Sequence, residues 1–262
     1  QGLRVISQAS TSAFSAALHS RPTTSLQFMR KFSSTAVRSV KRLALAAGAS
    51  QVVIATDDIR VADAVRMDCV QVCMTDDGHL SGTDRLAECA RLLNWPEQQI
   101  VVNLQGDEPF APADGIRQVA ALLADSACEM ATLACAVRDA DEFRNPNAVK
   151  VVLDAQGRAL YFSRASIPWP RDEGVDSPDV ALRHIGIYAY RAGFLKQFSQ
   201  LPKGKLEQLE TLEQLRALEH GFPIAVARAF SAFPAGVDTP ADLAEAQRHW
   251  QQQRMENDHG QH

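Results

Sequence analysis

Carboxylates and small polar residues gather at four places in this 262-residue chain, three of them where an apolar run stops. The first is Ala55-Thr56-Asp57-Asp58, and the second is His79-Leu80-Ser81-Gly82-Thr83-Asp84-Arg85. The third is Asn103-Leu104-Gln105-Gly106-Asp107-Glu108-Pro109, and Gly236-Val237-Asp238-Thr239-Pro240 adds a late acidic position. Asp107 and Asp238 are candidates to share one hard cation, because Mg²⁺ is held by one or two carboxylates together with phosphate oxygens. The adjacent carboxylates of Asp107 and Glu108 repel one another at a buried strand end unless a cation offsets them. The Ser81-Gly82-Thr83 turn offers backbone N–H groups at a helix start, where an anion or a base edge can dock. Each cluster also has a purely structural reading. Asp57 and Asp238 can serve as helix caps, and Ser81 can be a plain N-cap with Asp84 near the positive helix end.

The elements that would position these groups alternate in a regular way. Gln51 to Thr56 and Ile100 to Leu104 are continuous apolar runs, which suggests strands covered on both faces in a parallel sheet. Helical spacing follows at residues 59–65, 84–93 and 113–124, with another helix near Val37 to Ala46 closing at Gly48. This is the doubly wound α/β pattern, in which ligands bind beyond the carboxyl ends of the strands. After Met130 the rhythm turns to strands at 130–137, 148–154, 159–163 and 184–190, read as an antiparallel excursion. Asp154 to Gly157 reads as a hairpin link, with Gly157 free to take a positive φ. A helix is predicted over 206–218, a strand over 224–227, a last helix from Thr239-Pro240, and a polar tail over 251–262.

Composition narrows the function classes. A formal net charge of −4 argues against a general nucleic-acid binder. No apolar run approaches the roughly 18–20 residues of a membrane-spanning helix. The five cysteines form no Cys-x-x-Cys pair and read as reduced, buried thiols of a cytoplasmic protein. The segment before the folded domain, residues 1–36, is anomalous. No Asp or Glu occurs before Asp57, while Ser, Thr and Arg are abundant. An organelle transit peptide has that composition, and so can a stretch read in a shifted frame.

The motif set resembles the CMP-Kdo synthetases (3-deoxy-manno-octulosonate cytidylyltransferases). Asn103 to Pro109, His79 to Arg85, Asn145 to Val152, Tyr161 to Trp169, Arg183 to Arg191 and Leu212 to Arg216 occur in that family's order and spacing, from about Ser39 to Gln247. The Tyr161 and Arg183 stretches speak against the neighbouring CMP-sialate synthetases. The resemblance implies transfer of a cytidylyl group from CTP to Kdo, releasing pyrophosphate, in lipopolysaccharide biosynthesis. It further implies a homodimer in the bacterial cytoplasm with residues 37–250 as the catalytic domain. About 130–190 of that domain would form a dimer-forming and sugar-binding excursion. It places Asp107 and Asp238 on Mg²⁺ and Ser81, Gly82 and Thr83 against the cytidine. Gln105, Arg164, His184, Tyr188 and Glu210 would form the Kdo pocket, Arg164 pairing with the sugar carboxylate.

One departure stands out. The family opens with a strand running into Pro-Ala-Arg and then a Pro-Gly-Lys loop, whose cations grip the triphosphate. Here Val5-Ile6-Ser7-Gln8 runs into Ala9-Ser10-Thr11-Ser12 instead. The expectation is that the first strand and its loop are lost or frame-shifted, leaving a sheet short of a core strand. A catalytically impaired remnant of the family is the alternative function.

Overall fold

The computed structural model describes residues 2–8, 40–65, 70–79, 81–105, 111–171, 181–231 and 233. Within them, strands β1 (Leu3–Gln8), β2 (Ala49–Thr56), β3 (Gln71–Met74), β4 (Ile100–Gln105), β5 (Met130–Ala136), β6 (Lys150–Leu153), β7 (Ala159–Ser163), β8 (Leu182–Arg191) and β9 (Ile224–Arg228) form one sheet. Helices are α1 (residues 40–46), α2 (Ile59–Val65), α3 (Gly82–Leu92), α4 (Ala113–Asp125), α5 (Ala140–Arg144), α6 (Ala192–Phe198), α7 (Lys205–Glu210) and α8 (Gln214–Glu219).

The strand order is β3-β2-β1-β4-β8-β5-β9. The first four are mutually parallel, and β5 is parallel to β9. Between these two parallel sets runs β8, antiparallel to both β4 and β5. The predicted antiparallel excursion is therefore narrower than 130–190. Strands β5 and β8 belong to the main sheet, and only the β6–β7 hairpin lies off its path, attached through β6 to β8. Its link turns at Gly157, whose φ of 74° lies in the left-handed region open to glycine.

The continuous apolar strands bury both faces because successive side chains point opposite ways. Ile6 and Val101 join one core with Leu86 and Cys89 of α3 and Phe194 and Phe198 of α6. Their neighbours Val5 and Val102 join the opposite core with Val40 and Ala44 of α1 and Ile116, Val119 and Leu123 of α4. Helices thus cover both faces, as the doubly wound reading expects.

The N-terminal expectation is overturned at one point. Leu3–Gln8 is a strand at the middle of the sheet, paired in register with β2 on one side and β4 on the other. Both Val5 and Ile6 are fully buried. The acid-free composition hid this because a strand buried on both faces has no need of charge. Residues 9–39 lie outside the described residues, as do the predicted last helix from Thr239-Pro240 and the 251–262 tail.

The helix predicted over 206–218 is two helices. Thr211 takes φ 53° and ψ 49°, a left-handed conformation that ends α7 and lets α8 start on a new axis. The leucine periodicity runs through the break, so hydrophobic pattern alone could not reveal it.

Candidate active site

Three loop ends meet at the carboxyl edge of the parallel strands. One is the turn at Ser81, which is the N-cap of α3. Its side chain accepts from the backbone N–H of Asp84 at 3.2 Å, and its hydroxyl donates to the Asp84 carboxylate at 2.8 Å. The same helix is fastened beneath by Arg85, which donates to Asp57 at 2.6 Å and to Thr75. Asp57 is thus a buried ion-pair partner rather than the helix cap it could have been. The cap of α2 is its neighbour Asp58, which accepts from the Arg60 backbone N–H at 2.8 Å. On the outer side His79 and Glu88 lie 2.5 Å apart, and the Asp76 N–H donates to the same carboxylate. The turn is therefore held from both flanks.

The second loop end is the carboxyl terminus of β4 at Gln105. Asn103 sits opposite Tyr188 of β8, so the end of β4 lies next to that tyrosine. Of Gln105 only the backbone is described. Asp107 and Asp238, the two candidate Mg²⁺ carboxylates, both lie outside the described residues. Among the described residues no group of three or more His, Cys, Asp or Glu could hold a metal.

The third is the start of α8. A cleft of about 160 Å³ opens between it, β8 and the first turn of α3, lined by Thr83, Met130, His184, Gly186, Tyr188, Tyr190, Phe198, Leu212, Glu213 and Gln214. His184 and Tyr188, both from β8, line it side by side with ring centroids 5.2 Å apart. Two buried polar atoms in this cleft have no hydrogen-bond partner among the described residues, the Tyr188 hydroxyl and Glu213 Oε1. The other oxygen of Glu213 accepts from the Thr83 hydroxyl at 2.9 Å. The nearest cation to the open oxygen is Arg216 at 3.9 Å, and Arg216 is already bidentate on Glu207 at 2.7 and 2.6 Å. Burial pushes the Glu213 carboxyl above its ordinary range, only partly offset by the Ser81 and Thr83 hydroxyls and Arg216. Burial, aided by the Arg183 charge, draws the His184 imidazole down to about 3 and keeps it neutral. Burial likewise holds Tyr188 well above its usual value.

Arg164 and Glu210 are brought together, but away from this cleft. The Glu210 carboxylate accepts from the Ser163 hydroxyl at 2.6 Å, the Arg164 N–H at 2.9 Å and the Tyr161 hydroxyl at 3.5 Å. The Arg164 guanidinium donates to the carbonyls of Glu210, Pro146 and Thr211 at 2.6, 3.0 and 3.3 Å. Two of those carbonyls are the orphan acceptors at the end of α7, so Arg164 caps the helix and supports the left-handed Thr211. Beneath it the fully buried Lys150 donates to the Arg164 and Asn145 carbonyls at 2.9 and 2.8 Å. The carboxylate that enters the cleft is Glu213, not Glu210. It stands with Gln214 in the Leu212 to Arg216 stretch that resembled the family, so the signal was in the sequence. The break at Thr211, which turns the two glutamates to different surroundings, was not foreseen.

Solved structures of low sequence identity share this architecture. A 4-diphosphocytidyl-2C-methyl-D-erythritol synthase of Anaerococcus prevotii aligns at TM-score 0.59 and 12% identity over 96% of this chain and 99% of its own. The architecture is the α/β nucleotidyltransferase fold. At closer range, the structure of a CMP:2-keto-3-deoxy-manno-octonic acid synthetase complexed with CTP matches at TM-score 0.79 and 35% identity. That match covers 97% of this chain and 100% of the other. The profile of the family described as Cytidylyltransferase matches residues 33–226. A 3-deoxy-manno-octulosonate cytidylyltransferase of Xanthomonas campestris pv. campestris is 57% identical over 218 residues, 80% of this chain and 87% of the relative. Another, of Xylella fastidiosa, is 55% identical over 81% of this chain and 85% of its own length. The chain belongs to the 3-deoxy-manno-octulosonate cytidylyltransferase family.

Proposed function

We propose that this chain transfers the cytidylyl group of CTP to Kdo, giving CMP-Kdo and pyrophosphate for lipopolysaccharide biosynthesis. The observation that carries the reading is the cleft itself. It is a pocket of sugar size whose open polar atoms, Tyr188 Oη and Glu213 Oε1, sit beside the Ser81 to Thr83 turn on one side and the end of β4 on the other. A polyhydroxylated acid satisfies such atoms, whereas an apolar ligand would leave them unpaired at a cost of about 1–3 kcal/mol each.

In this reading the anomeric hydroxyl of Kdo attacks the α-phosphorus of CTP. A P–O bond forms to the sugar as the bond to the pyrophosphate leaving group breaks. Glu213, Tyr188, Gln214 and the neutral His184 bind and orient the sugar. Arg164 supports the α7–α8 break through three carbonyls, and two of its five N–H donors remain for a ligand. The Ser81 to Thr83 turn receives the cytidine. Asp107 and Asp238 are proposed to hold Mg²⁺, which when bound offsets phosphate charge. In sequence, Asp107 follows the last residue of β4 by two positions.

A homodimer in the bacterial cytoplasm completes the proposal. Leu160 and Trp169 on and beyond the β6–β7 hairpin are 62% and 63% exposed, and apolar surface of this kind suits a subunit contact. Among the described residues no helix is long and apolar enough to cross a membrane.

The test is pyrophosphate release from CTP with Mg²⁺, using the full chain. Release that requires Kdo and disappears in Asp107→Ala supports the proposal. A folded chain that binds Kdo yet releases nothing would be the non-catalytic remnant instead.

A further inference from the structure

Opposite Thr132, β8 departs from regular pairing. The partner of Thr132 is Tyr188 and the partner of Leu133 is Ile185, so Gly186 and Ile187 are extra residues in a bulge. His184 and Tyr188 flank the bulge, and their ring centroids lie 5.2 Å apart. Bulged backbone loses ladder partners, and the hydroxyl of the fully buried Thr132 fills the gap. Its Oγ1 lies 2.7 Å from the Ile187 carbonyl, 3.1 Å from the Ile185 carbonyl and 3.1 Å from His184 Nε2.

One hydroxyl carries one proton, and carbonyl oxygens can only accept. The proton belongs on the Ile187 carbonyl, because at 2.7 Å two oxygens with facing lone pairs would repel. The hydroxyl then meets the imidazole with a lone pair, and Nε2 must bring the proton. We infer that Thr132 is a positioning residue that fixes His184 as the Nε2–H tautomer, leaving Nδ1 as the ring's acceptor for a sugar hydroxyl. The sugar half of this inference rests on the function proposed above; the tautomer half rests on the bulge alone. The neutral state of the half-buried His184 supports it, since a protonated ring would have no acceptor to offer.

The test is a long-range proton–nitrogen correlation spectrum of the full chain labelled with ¹⁵N-histidine, near neutral pH, with His184→Asn assigning the peaks. The expected result is a proton-bearing Nε2 and a bare Nδ1 at His184. The opposite tautomer in the wild type overturns the inference, whatever any variant does. Thr132→Ser is expected to keep the signature and the KM for Kdo. Thr132→Val is expected to lose the fixed tautomer and raise the KM for Kdo about tenfold, the loss of one hydrogen bond, with the KM for CTP unmoved. A folded Thr132→Val chain that keeps both the tautomer and the KM also overturns it. If Kdo neither shifts the His184 nitrogens nor supports pyrophosphate release while the tautomer is as stated, the sugar reading fails and the role of Thr132 in fixing the ring stands.

Discussion

Glu210 and Glu213 stand three residues apart, yet their surroundings are opposites. Glu210 has its oxygens met by a serine hydroxyl, a backbone N–H and a tyrosine hydroxyl, and these bonds hold its carboxyl below the ordinary carboxylate range despite an opposing burial effect. Glu213 has one oxygen on Thr83 and the other without a hydrogen-bond partner among the described residues, and burial holds its carboxyl above that range. The first is a strut, because a polar group whose capacity is filled from within has nothing left for a ligand. The second is a site, because a fold that leaves a buried carboxylate half-satisfied lowers its own stability. Chemical identity and chain position do not separate the two; the bookkeeping of lone pairs does.

The sharpest way to break this comparison is Glu213→Gln. We expect kcat/KM for Kdo to fall about 10- to 100-fold, the loss of hydrogen bonds to a charged group, with a melting temperature at or above the wild type. Unchanged activity with a lowered melting temperature would make Glu213 a second strut. Next is Arg164→Ala, expected to cost about 2–3 kcal/mol in denaturant unfolding by stripping charged donors from the α7 terminus. If it abolished Kdo binding in a chain of unchanged stability, Arg164 would belong to the site after all. Tyr188→Phe should reduce kcat/KM about fivefold, one neutral hydrogen bond, and leave stability level or slightly raised, since its hydroxyl has no partner among the described residues to lose.

The smallest effect is in the pH dependence of unfolding, and its sign differs between the two glutamates. Glu210, with its folded pKa depressed, adds stability above the ordinary glutamate value of about 4.3 that is lost as pH falls through the lower folded pKa. Glu213, with its folded pKa raised, favours the folded state when protonated, so its contribution declines as pH rises from about 4.3 through the raised value. Comparing Glu210→Gln and Glu213→Gln with the wild type by denaturant titration at pH 4 and pH 7 should give difference slopes of opposite sign. Equal slopes would remove the distinction.

Much of the fold was legible because it rests on local patterns. The strand at 51–56 and the helix at 59–65 announced themselves by hydrophobic period and by acids at the strand end, and Ser81 by its cap chemistry. What was not legible rests on pairings distant in sequence. The antiparallel insertion of β8 between β4 and β5 brings together residues some fifty positions or more apart. The break at Thr211 is stabilised by Arg164, 47 positions away, and the choice of Glu213 over Glu210 follows from that break. Helix α6 was missed because Ala192 to Phe198 follows β8 directly, and Gly193 at its start reads as a turn rather than as helix. The unforeseen role of Thr132 had no local signal at all; a threonine in a strand is ordinary until a bulge forms across from it.

The placement of β1 has one more consequence. The amides of Val5 and Ile6 are walled in by β2 and β4 and shielded above and below by both cores. Solvent deuterium reaches them only when the whole sheet opens, so β1 will report global unfolding.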